Sequence, residues 1–377
     1  MLLVIVFLVT RGHGVSVSHG GKNSKTRENE KIATCGRFWY NAAEVRIMSN
    51  VTYLETGSTD PAYNLAFEEY VLTHRTQGDY LLLWQNDNTI VVGQNQNTAQ
   101  EIDPAFVKEH HITVVRRGTG GGAVYHDLGN LNYSFITDTG AAERLTMDRF
   151  TRPIVEALQN LGLNAEASGR NDILVEGRKV SGTAQRLVHG RILHHGTLLF
   201  DSRPEMIAGA LRVDQAKFTS KSAKSVKSRI GNIREFLPAD MTLPEFWEYL
   251  KRQLAGTGLV QSALTADELA QVSRLADEKY RTWEWTYGRS PKFDMVKRNY
   301  FTGGRLEVGV SVDHGSITEI RFYGDFLSLT DTTPLCRALE GVAYREDAVA
   351  AVLDSQPMAE MFGGITRDEV LRTIFNQ

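Results

Sequence analysis

The sequence predicts an α+β fold, a mixed sheet flanked by helices and followed by a small α+β C-terminal accessory domain. Short apolar runs bounded by turn residues recur from Val51 to Phe200, interrupted by a helical pattern near Asp148 to Leu161. The glycine cluster at Gly118 and Gly120 to Gly122 leads into residues that read as extended, Ala123 to Tyr125 and Leu131 to Ile136. A doubly wound nucleotide fold would need a helix there and an acidic residue about 20 positions on, so that class is set aside. Strand patterns then resume near Met295, after a stretch of helix.

Taken in order, Met1 to Val9 is apolar but far shorter than the roughly 20 residues of a membrane span, and it lacks the flanks of a signal peptide. Residues 11–47 are polar and patternless; residues 1–47 are expected to be a non-native or disordered extension, with Met48 the physiological start. A first strand follows at Met48 to Tyr53, and Ser58-Thr59-Asp60-Pro61 caps a helix running to Leu72. Tyr80 to Trp84 and Thr89 to Gly93 read as strands about an Asn-Asp-Asn turn. Asp172 to Val175, the turn Glu176-Gly177 and the return from Val180 make a hairpin with Lys179 just past its tip. A second turn, Val188-His189-Gly190, leads into a strand from Arg191. Helical patterns cover Pro244 to Leu254 and Thr265 to Tyr280. The aromatic stretch Trp283 to Tyr287 is expected to pack at a seam rather than hold a ligand. Strands at Met295–Phe301, Arg305–Val312 and Ile317–Tyr323, then short helices, complete the chain.

With 377 residues, 42% hydrophobic and 23% charged, the chain is globular and ample for two domains. Its cysteines, Cys35 and Cys336, are far apart, so no disulfide framework is implied and a reducing cytosol fits. Net charge is −3, which argues against a nucleic-acid partner.

The most informative stretch runs from Val115 to Phe135. It joins Arg116 and Arg117 to the glycine cluster, then to Tyr125-His126-Asp127-Leu128-Gly129-Asn130. Consecutive glycines let backbone amides turn toward an anion, and arginines can add forked positive charge beside them. No lysine follows in the Walker position. The glycines alone would equally describe a structural hairpin; the arginine pair and the polar tail favour a ligand loop. A further block is Lys179-Val180-Ser181-Gly182-Thr183-Ala184-Gln185-Arg186, and another is Arg191 to Asp201 with His194 and His195 adjacent. Neighbours on a strand point to opposite faces, so these histidines are not expected to share a metal. Between Lys217 and Arg234 lie Lys217, Lys221, Lys224, Lys227, Arg229 and Arg234 with interleaved serines and no acid. This composition suits a mobile loop.

These motifs resemble the signatures of the lipoate–protein ligases, Arg-Arg-x-Ser-Gly-Gly-Gly-Ala-Val-x-His-Asp-x-Gly-Asn and Lys-[Ile/Val]-Ser-Gly-x-Ala-x-Arg, and the resemblance covers essentially Met48 to Gln377. It implies the biotin/lipoate ligase fold, with a catalytic domain over 48–288 and an accessory domain over 292–377. It implies that Lys179 is the catalytic residue, lying against the lipoate carboxylate and the ATP α-phosphate. By the same resemblance Arg117, Gly122, Ala123, Val124, Tyr125 and Lys179 match nucleotide contacts. Asn130 and Asp172 match ribose, adenine or magnesium-water partners. Thr119, Gly120, Gly121, Arg186 and His195, with Lys179, match positions near the lipoyl group. Thr119 departs from the usual serine and Gly118 from a small polar residue. The basic segment matches an adenylate-binding loop that orders over the intermediate.

What the resemblance implies is a cytoplasmic enzyme that uses ATP, with magnesium expected, to activate lipoate as lipoyl-AMP. The lipoyl group then passes to a lysine of lipoyl domains of 2-oxoacid dehydrogenase complexes or of the glycine cleavage H protein. Neither nucleic acid nor membrane is an expected partner; magnesium ligands and oligomeric state are left open, a monomer being compatible. Neither cysteine lies near the signature blocks, which argues against the thioester chemistry of related acyl transferases. A transferase using preformed lipoyl-AMP and a non-catalytic binding module remain as alternatives, which lipoate-dependent pyrophosphate exchange and acceptor modification would separate. Biotin ligation is disfavoured because the Gly-Arg-Gly-Arg-x-Gly-Arg loop of that branch is absent.

Overall fold

The computed structural model describes residues 51–139, 147–211, 229–255, 258–288 and 293–375. The expected N-terminal extension and most of the basic segment, including Lys217, Lys221, Lys224 and Lys227, lie outside the described residues.

In chain order the strands are β1 (Val51–Glu55), β2 (Asp79–Trp84), β3 (Thr89–Val92), β4 (Thr113–Arg116), β5 (Val124–His126), β6 (Asn130–Asp138), β7 (Ala165–Ser168), β8 (Asp172–Val175), β9 (Arg178–Val188), β10 (Arg191–Leu199), β11 (Val260–Gln261), β12 (Met295–Phe301), β13 (Gly304–Asp313) and β14 (Ser316–Gly324). The helices used below are α1 (Pro61–His74), α2 (Thr98–Glu101), α3 (Met147–Asn160), α4 (Leu243–Ala255), α5 (Ala266–Leu275), which passes into a π-helical turn over Ala276–Tyr280, and α6 (Trp283–Thr286).

Eight strands form one sheet in the order β11-β1-β2-β6-β10-β9-β8-β7. The β1 strand runs parallel to β2 and β11, while β2, β6, β10, β9, β8 and β7 pair antiparallel in succession. A separate small sheet, β4-β3-β5, carries the glycine cluster between its strands, and β12-β13-β14 form the C-terminal sheet. The expected mixed α+β architecture is therefore present. The strands on either side of Asn86-Asp87-Asn88 do not pair with each other, however: β2 joins the large sheet and β3 the small one.

Local chemistry explains why the elements sit where they do. The Asp60 carboxylate accepts from the amides of Ala62 (2.9 Å) and Tyr63 (3.5 Å), capping α1 with Pro61 in its first turn. The β8–β9 turn places Glu176 and Gly177 at φ 50° and 72°, and the β9–β10 turn places His189 and Gly190 at φ 47° and 76°. Paired positive φ values match the twist of a two-residue hairpin.

The large sheet buries both faces. One face packs Phe135, Ile173, Val175, Val180, Ile192 and Leu198 against Phe150 and Ile154 of α3 and Phe246 and Leu250 of α4. On the opposite face Leu82, Ile136 and Leu193 meet Leu65, Ala66 and Tyr70 of α1, which α5 covers in turn. Buried on nearly all sides, α1 carries Glu68 into this layer, and a buried carboxylate requires partners. The C-terminal sheet has its own core of Leu306, Val308, Ile320, Phe322, Phe326 and Phe362.

Candidate active site

Strand periodicity builds the floor of the site. Trp84 on β2 lies opposite Asn132 on β6, and Asn132 opposite Thr197 on β10, whose hydroxyl accepts from the Gly182 amide of β9 (3.2 Å). The next row on the same face is Leu82, Ser134, His195 and Ala184, and the one beyond is Tyr80, Ile136, Leu193 and Arg186. Over the first of these rows, and over His195 and Ala184 of the second, lies a cavity of about 110 Å³, bordered also by Leu65, Val91, Arg117, Gly122, Ala123, Val124, His126 and Lys179, while α1 covers Leu82, Ile136 and Leu193. That volume is several times what a single water needs.

Lys179 reaches this face because β9 is irregular. The register shifts between Ile173 and Leu174, so that Ile173 opposes Ser181 whereas Leu174 opposes Lys179. The extra residue, Val180, turns into the core. Strict alternation would have put Lys179 on the core side with Ser181; the bulge moves it to the face of Gly182 and Ala184. Its Nζ lies 2.7 Å from Asp172 Oδ1, and a methyl group on Gly182 would stand 3.1 Å from that nitrogen.

The glycine loop is held by one of the two arginines, Arg117. Arg117 is buried; its Nε donates to Thr119 Oγ1 (2.9 Å) and its Nη2 to the carbonyls of Gly120 (2.6 Å) and Gly122 (2.9 Å). Burial lowers its pKa to about 10, a fall opposed by the nearby Glu68 charge, so it stays protonated at neutral pH. Arg116 does not stand beside the cradle at all. It is fully buried and donates to the carbonyls of Gly93, Gln94, Gln96, Trp285 and Thr286 and to the Thr98 hydroxyl. Part of the aromatic stretch thus packs as a seam, since Trp285 Nε1 also donates to Arg116 O (2.8 Å), while Trp283 is exposed.

The remaining residues singled out in the sequence separate into groups. Thr119 Oγ1 lies 2.8 Å from His195 Nε2, and His195 Nδ1 lies 2.9 and 3.0 Å from the Glu68 carboxylate oxygens. Glu68 also accepts from Ser134 Oγ (2.6 Å), which accepts from Trp84 Nε1 (2.9 Å). One hydrogen-bonded chain therefore ties the glycine loop to α1 and to the sheet. Arg186 lies over Gly118, where a methyl group would stand 2.5 Å from its Nη1, and pairs with Glu69 at 3.5 Å. Burial alone would raise the Glu69 pKa, but the charges of Lys279 and Arg186 and bonds from Lys279 and Tyr280 bring it below the usual value. His194 points away from His195, its ring stacked on Phe150 at 5.0 Å.

Several of the expected contacts do not border the cavity. Gly120 and Gly121 face the C-terminal domain: the Gly121 amide donates to Phe326 O (3.1 Å), and a methyl group on Gly120 would stand 2.8 Å from the same oxygen. Tyr125 alternates away from Val124 and His126, so its ring packs with Ile90, Val92 and Met206 while its hydroxyl donates to Asn88 (2.9 Å). Asn130 is buried against Asn132. Cys336 sits in the C-terminal core, where burial pushes its thiol up to about 11. Sequence reasoning did not single out Glu68, Trp84, His126, Asn132 or Asn171 for the site. Glu68 and His126 had usable signals, one of two adjacent acids in a largely apolar helix and a histidine inside the glycine-loop motif, whereas Trp84 and Asn132 show themselves through strand register and Asn171 through the turn before β8.

Two buried histidines make stability depend on pH. Burial, aided by neighbouring positive charge, holds His126 and His194 down to about 3, whereas an unfolded histidine titrates near 6.5. Their contribution is complete above about pH 6.5 and is lost as pH falls toward about 3, because the unfolded chain takes up protons the fold excludes. Linkage gives about 1.4 kcal/mol per histidine per pH unit, about 4 kcal/mol for the pair at pH 5. The urea midpoint is expected to fall between about pH 7 and pH 5; a flat midpoint would contradict the burial argument.

Comparison with known proteins agrees with this architecture. The pattern of the lipoyl protein ligase A/B catalytic domain matches residues 60–255, and that of the bacterial lipoate protein ligase C-terminus matches residues 290–374. The chain is 42% identical over 321 residues to lipoate-protein ligase LplJ of Bacillus subtilis, covering 84% of this chain and 97% of the relative. Plasmodium falciparum LipL1, solved in complex with lipoate, shares the fold with a TM-score of 0.72 at 23% identity, over 87% of this chain and all of that one. A bipartite lipoate protein ligase of Thermoplasma acidophilum, studied with its E2 lipoyl domain, aligns with a TM-score of 0.55 at 29% identity, over 66% of this chain and 99% of that one. A lipoate-protein ligase A bound with ATP gives 0.55 at 27%, over 64% and 99%. The identity to LplJ across nearly its whole length, with both domain patterns in order, means that this chain belongs to the lipoate–protein ligase family of enzymes.

Proposed function

We propose that the protein activates lipoate with ATP and transfers the lipoyl group to a lysine of a lipoyl-domain protein. The observation that carries this reading is Lys179, turned by the β9 bulge onto the cavity face beside Asp172. In the first step a lipoate carboxylate oxygen attacks the α-phosphorus of ATP; the bond to the bridging oxygen breaks, and pyrophosphate leaves with its electron pair. The Lys179 ammonium, a compact charge with rotatable donors, offsets negative charge on the α-phosphoryl oxygens and on the attacking carboxylate. In the second step a neutral acceptor amine attacks the carbonyl of lipoyl-AMP; the carbon–oxygen bond breaks, AMP leaves, and the amine loses a proton as the amide forms. No covalent enzyme intermediate is required, so positioning and electrostatics supply the rate.

Within this reading the acyl chain lies along the row from Gly182 to Trp84, with its carboxylate toward Lys179. Thr119, His195 and Arg186 border or brace that channel. Gly122, Ala123 and Val124, at the cavity wall, are assigned to the nucleotide side with Asp172. Tyr125 and Asn130 are assigned to supporting the loop through its backbone. Magnesium is proposed to arrive with the triphosphate, and no protein ligand set is assigned to it. Residues 48–288 are proposed as the catalytic domain and 292–377 as the accessory domain. The acceptors proposed are lipoyl domains of 2-oxoacid dehydrogenases or the glycine cleavage H protein, in the cytoplasm. No helix among the described residues is long and apolar enough to cross a membrane.

The test is lipoate-dependent ATP–pyrophosphate exchange, followed by the mass change of an added apo lipoyl domain. Exchange with a lipoyl mass gain is the expected result. Transfer from supplied lipoyl-AMP without exchange would make the protein a transferase, and the absence of both exchange and transfer would overturn the enzymatic reading.

A further inference from the structure

The far end of the cavity holds a hydrogen-bond donor with no partner among the described residues, and its protonation is fixed by its neighbours. Asn64 Nδ2 donates to the carbonyls of Gln85 (2.7 Å) and Ser58 (3.0 Å), so the amide atom of Asn86 it also meets at 3.0 Å is Oδ1, an acceptor. The other amide atom, Asn86 Nδ2, must then be the one that faces His126 Nδ1 at 3.1 Å, as a donor. His126 Nδ1 therefore accepts, and the neutral ring carries its hydrogen on Nε2. That Nε2 is buried and has no hydrogen-bond partner among the described residues. On the same cavity, Asn132 accepts from Asn130 at Oδ1 (2.9 Å), and among the described residues Asn132 Nδ2, like Asn130 Oδ1, is buried without a partner. Both residues border the cavity at the Trp84 end, the His126 and Trp84 rings meeting edge to face at 6.4 Å.

Buried donors left unpaired cost free energy, and nearly all in folded proteins find a partner. Here the side of His126 facing Asn86 is taken, which leaves the cavity as the source of an acceptor. From Gly182 beside Lys179 to Trp84 the row crosses three strand spacings, about 14 Å. An acid of lipoate's length, its carboxylate at Lys179, brings the end of its chain to these donors. A dithiolane ring offers sulfur lone pairs there, weak acceptors but acceptors; a plain alkyl end offers none and leaves both donors stranded. Resting on the lipoate reading above, we infer that His126, aided by Asn132, is a specificity-determining residue that selects acids ending in a sulfur-containing ring over those ending in hydrocarbon.

Cyclopentylpentanoic acid, the carbon counterpart of lipoic acid, isolates the effect because it keeps the ring and chain while removing the sulfurs. In wild-type protein the kcat/KM for acid-dependent pyrophosphate release is expected to favour lipoate roughly five- to tenfold over the carbon analogue, the size of one modest hydrogen bond. In His126→Phe and Asn132→Leu that ratio is expected to shrink toward one. A merely structural loss would lower both substrates together and leave the ratio unchanged, overturning the inference. Should the variants misfold, nitrogen-15 histidine spectra of the wild-type protein decide. The Nε2–H resonance of His126 is expected to move downfield with lipoate and to stay in place with cyclopentylpentanoate; equal response to both acids refutes the assignment. Failure of lipoate to bind or to support any pyrophosphate exchange would instead remove the functional reading on which it rests.

Discussion

Lys179→Ala is expected to lower lipoate-dependent ATP–pyrophosphate exchange by at least 10²–10³-fold, roughly the loss seen when a single stabilising donor is removed from a transition state, while the thermal midpoint scarcely moves. The two halves of this expectation have separate causes. The ammonium is the cation that the β9 bulge presents beside Gly182, and alanine leaves the developing charge on the α-phosphoryl oxygens without it. For stability, Lys179 and Asp172 are 38% and 35% exposed, and a pair that open to solvent contributes at most about 1 kcal/mol. Arginine is not expected to rescue. Its planar fork is larger than an ammonium, and the Gly182 wall, only 3.1 Å from Nζ to where a methyl group would stand, leaves little room for it. Exchange at wild-type rate in a folded Lys179→Ala protein would overturn the assignment, and a large fall in midpoint would show the lysine to be structural.

That lysine also marks how far the sequence could be read. The hairpin around Glu176-Gly177 is legible because its turn chemistry is local: residues that tolerate positive φ stand between apolar runs. The cap at Asp60 and the C-terminal strands are legible for the same kind of reason. The bulge is not, since nothing in Lys179-Val180-Ser181 marks Val180 as the extra residue; it follows from pairing with β8 and from the core that takes up Val180. Neighbouring residues with similar chemistry are just as ambiguous. Glu68 and Glu69 are adjacent on α1, yet one meets His195 and Ser134 and the other Lys279, Tyr280 and Arg186. Every one of those partners lies on an element distant in sequence. The chemistry of the site was readable as motifs, whereas the division of each motif into braces and contacts was set by register.

Arg116 and Arg117 show that division most sharply, and Arg116→Leu is the substitution expected to cost the most stability. Its guanidinium joins the turn after β3 (Gly93, Gln94 and Gln96), the start of α2 (Thr98) and α6 (Trp285 and Thr286). Leucine would leave five carbonyls, four of them on buried residues, without this donor. At even about 1 kcal/mol each the loss reaches about 5 kcal/mol, the lower end of the whole stability of a domain. Lysine, with three donors at a single point, cannot reach acceptors on both sides as the fork does. The damage would pass directly to the glycine loop, because the Gln94 amide donates to Thr119 O (2.8 Å) and Gly93 is packed so closely that a methyl group there would stand 2.1 Å from Gly121 O. The expected result is a protein that is largely insoluble or that melts at much lower urea when followed by circular dichroism, with exchange lost as a consequence. A soluble Arg116→Leu protein with the wild-type midpoint but no exchange would reverse the argument, moving Arg116 from the frame of the loop to its chemistry.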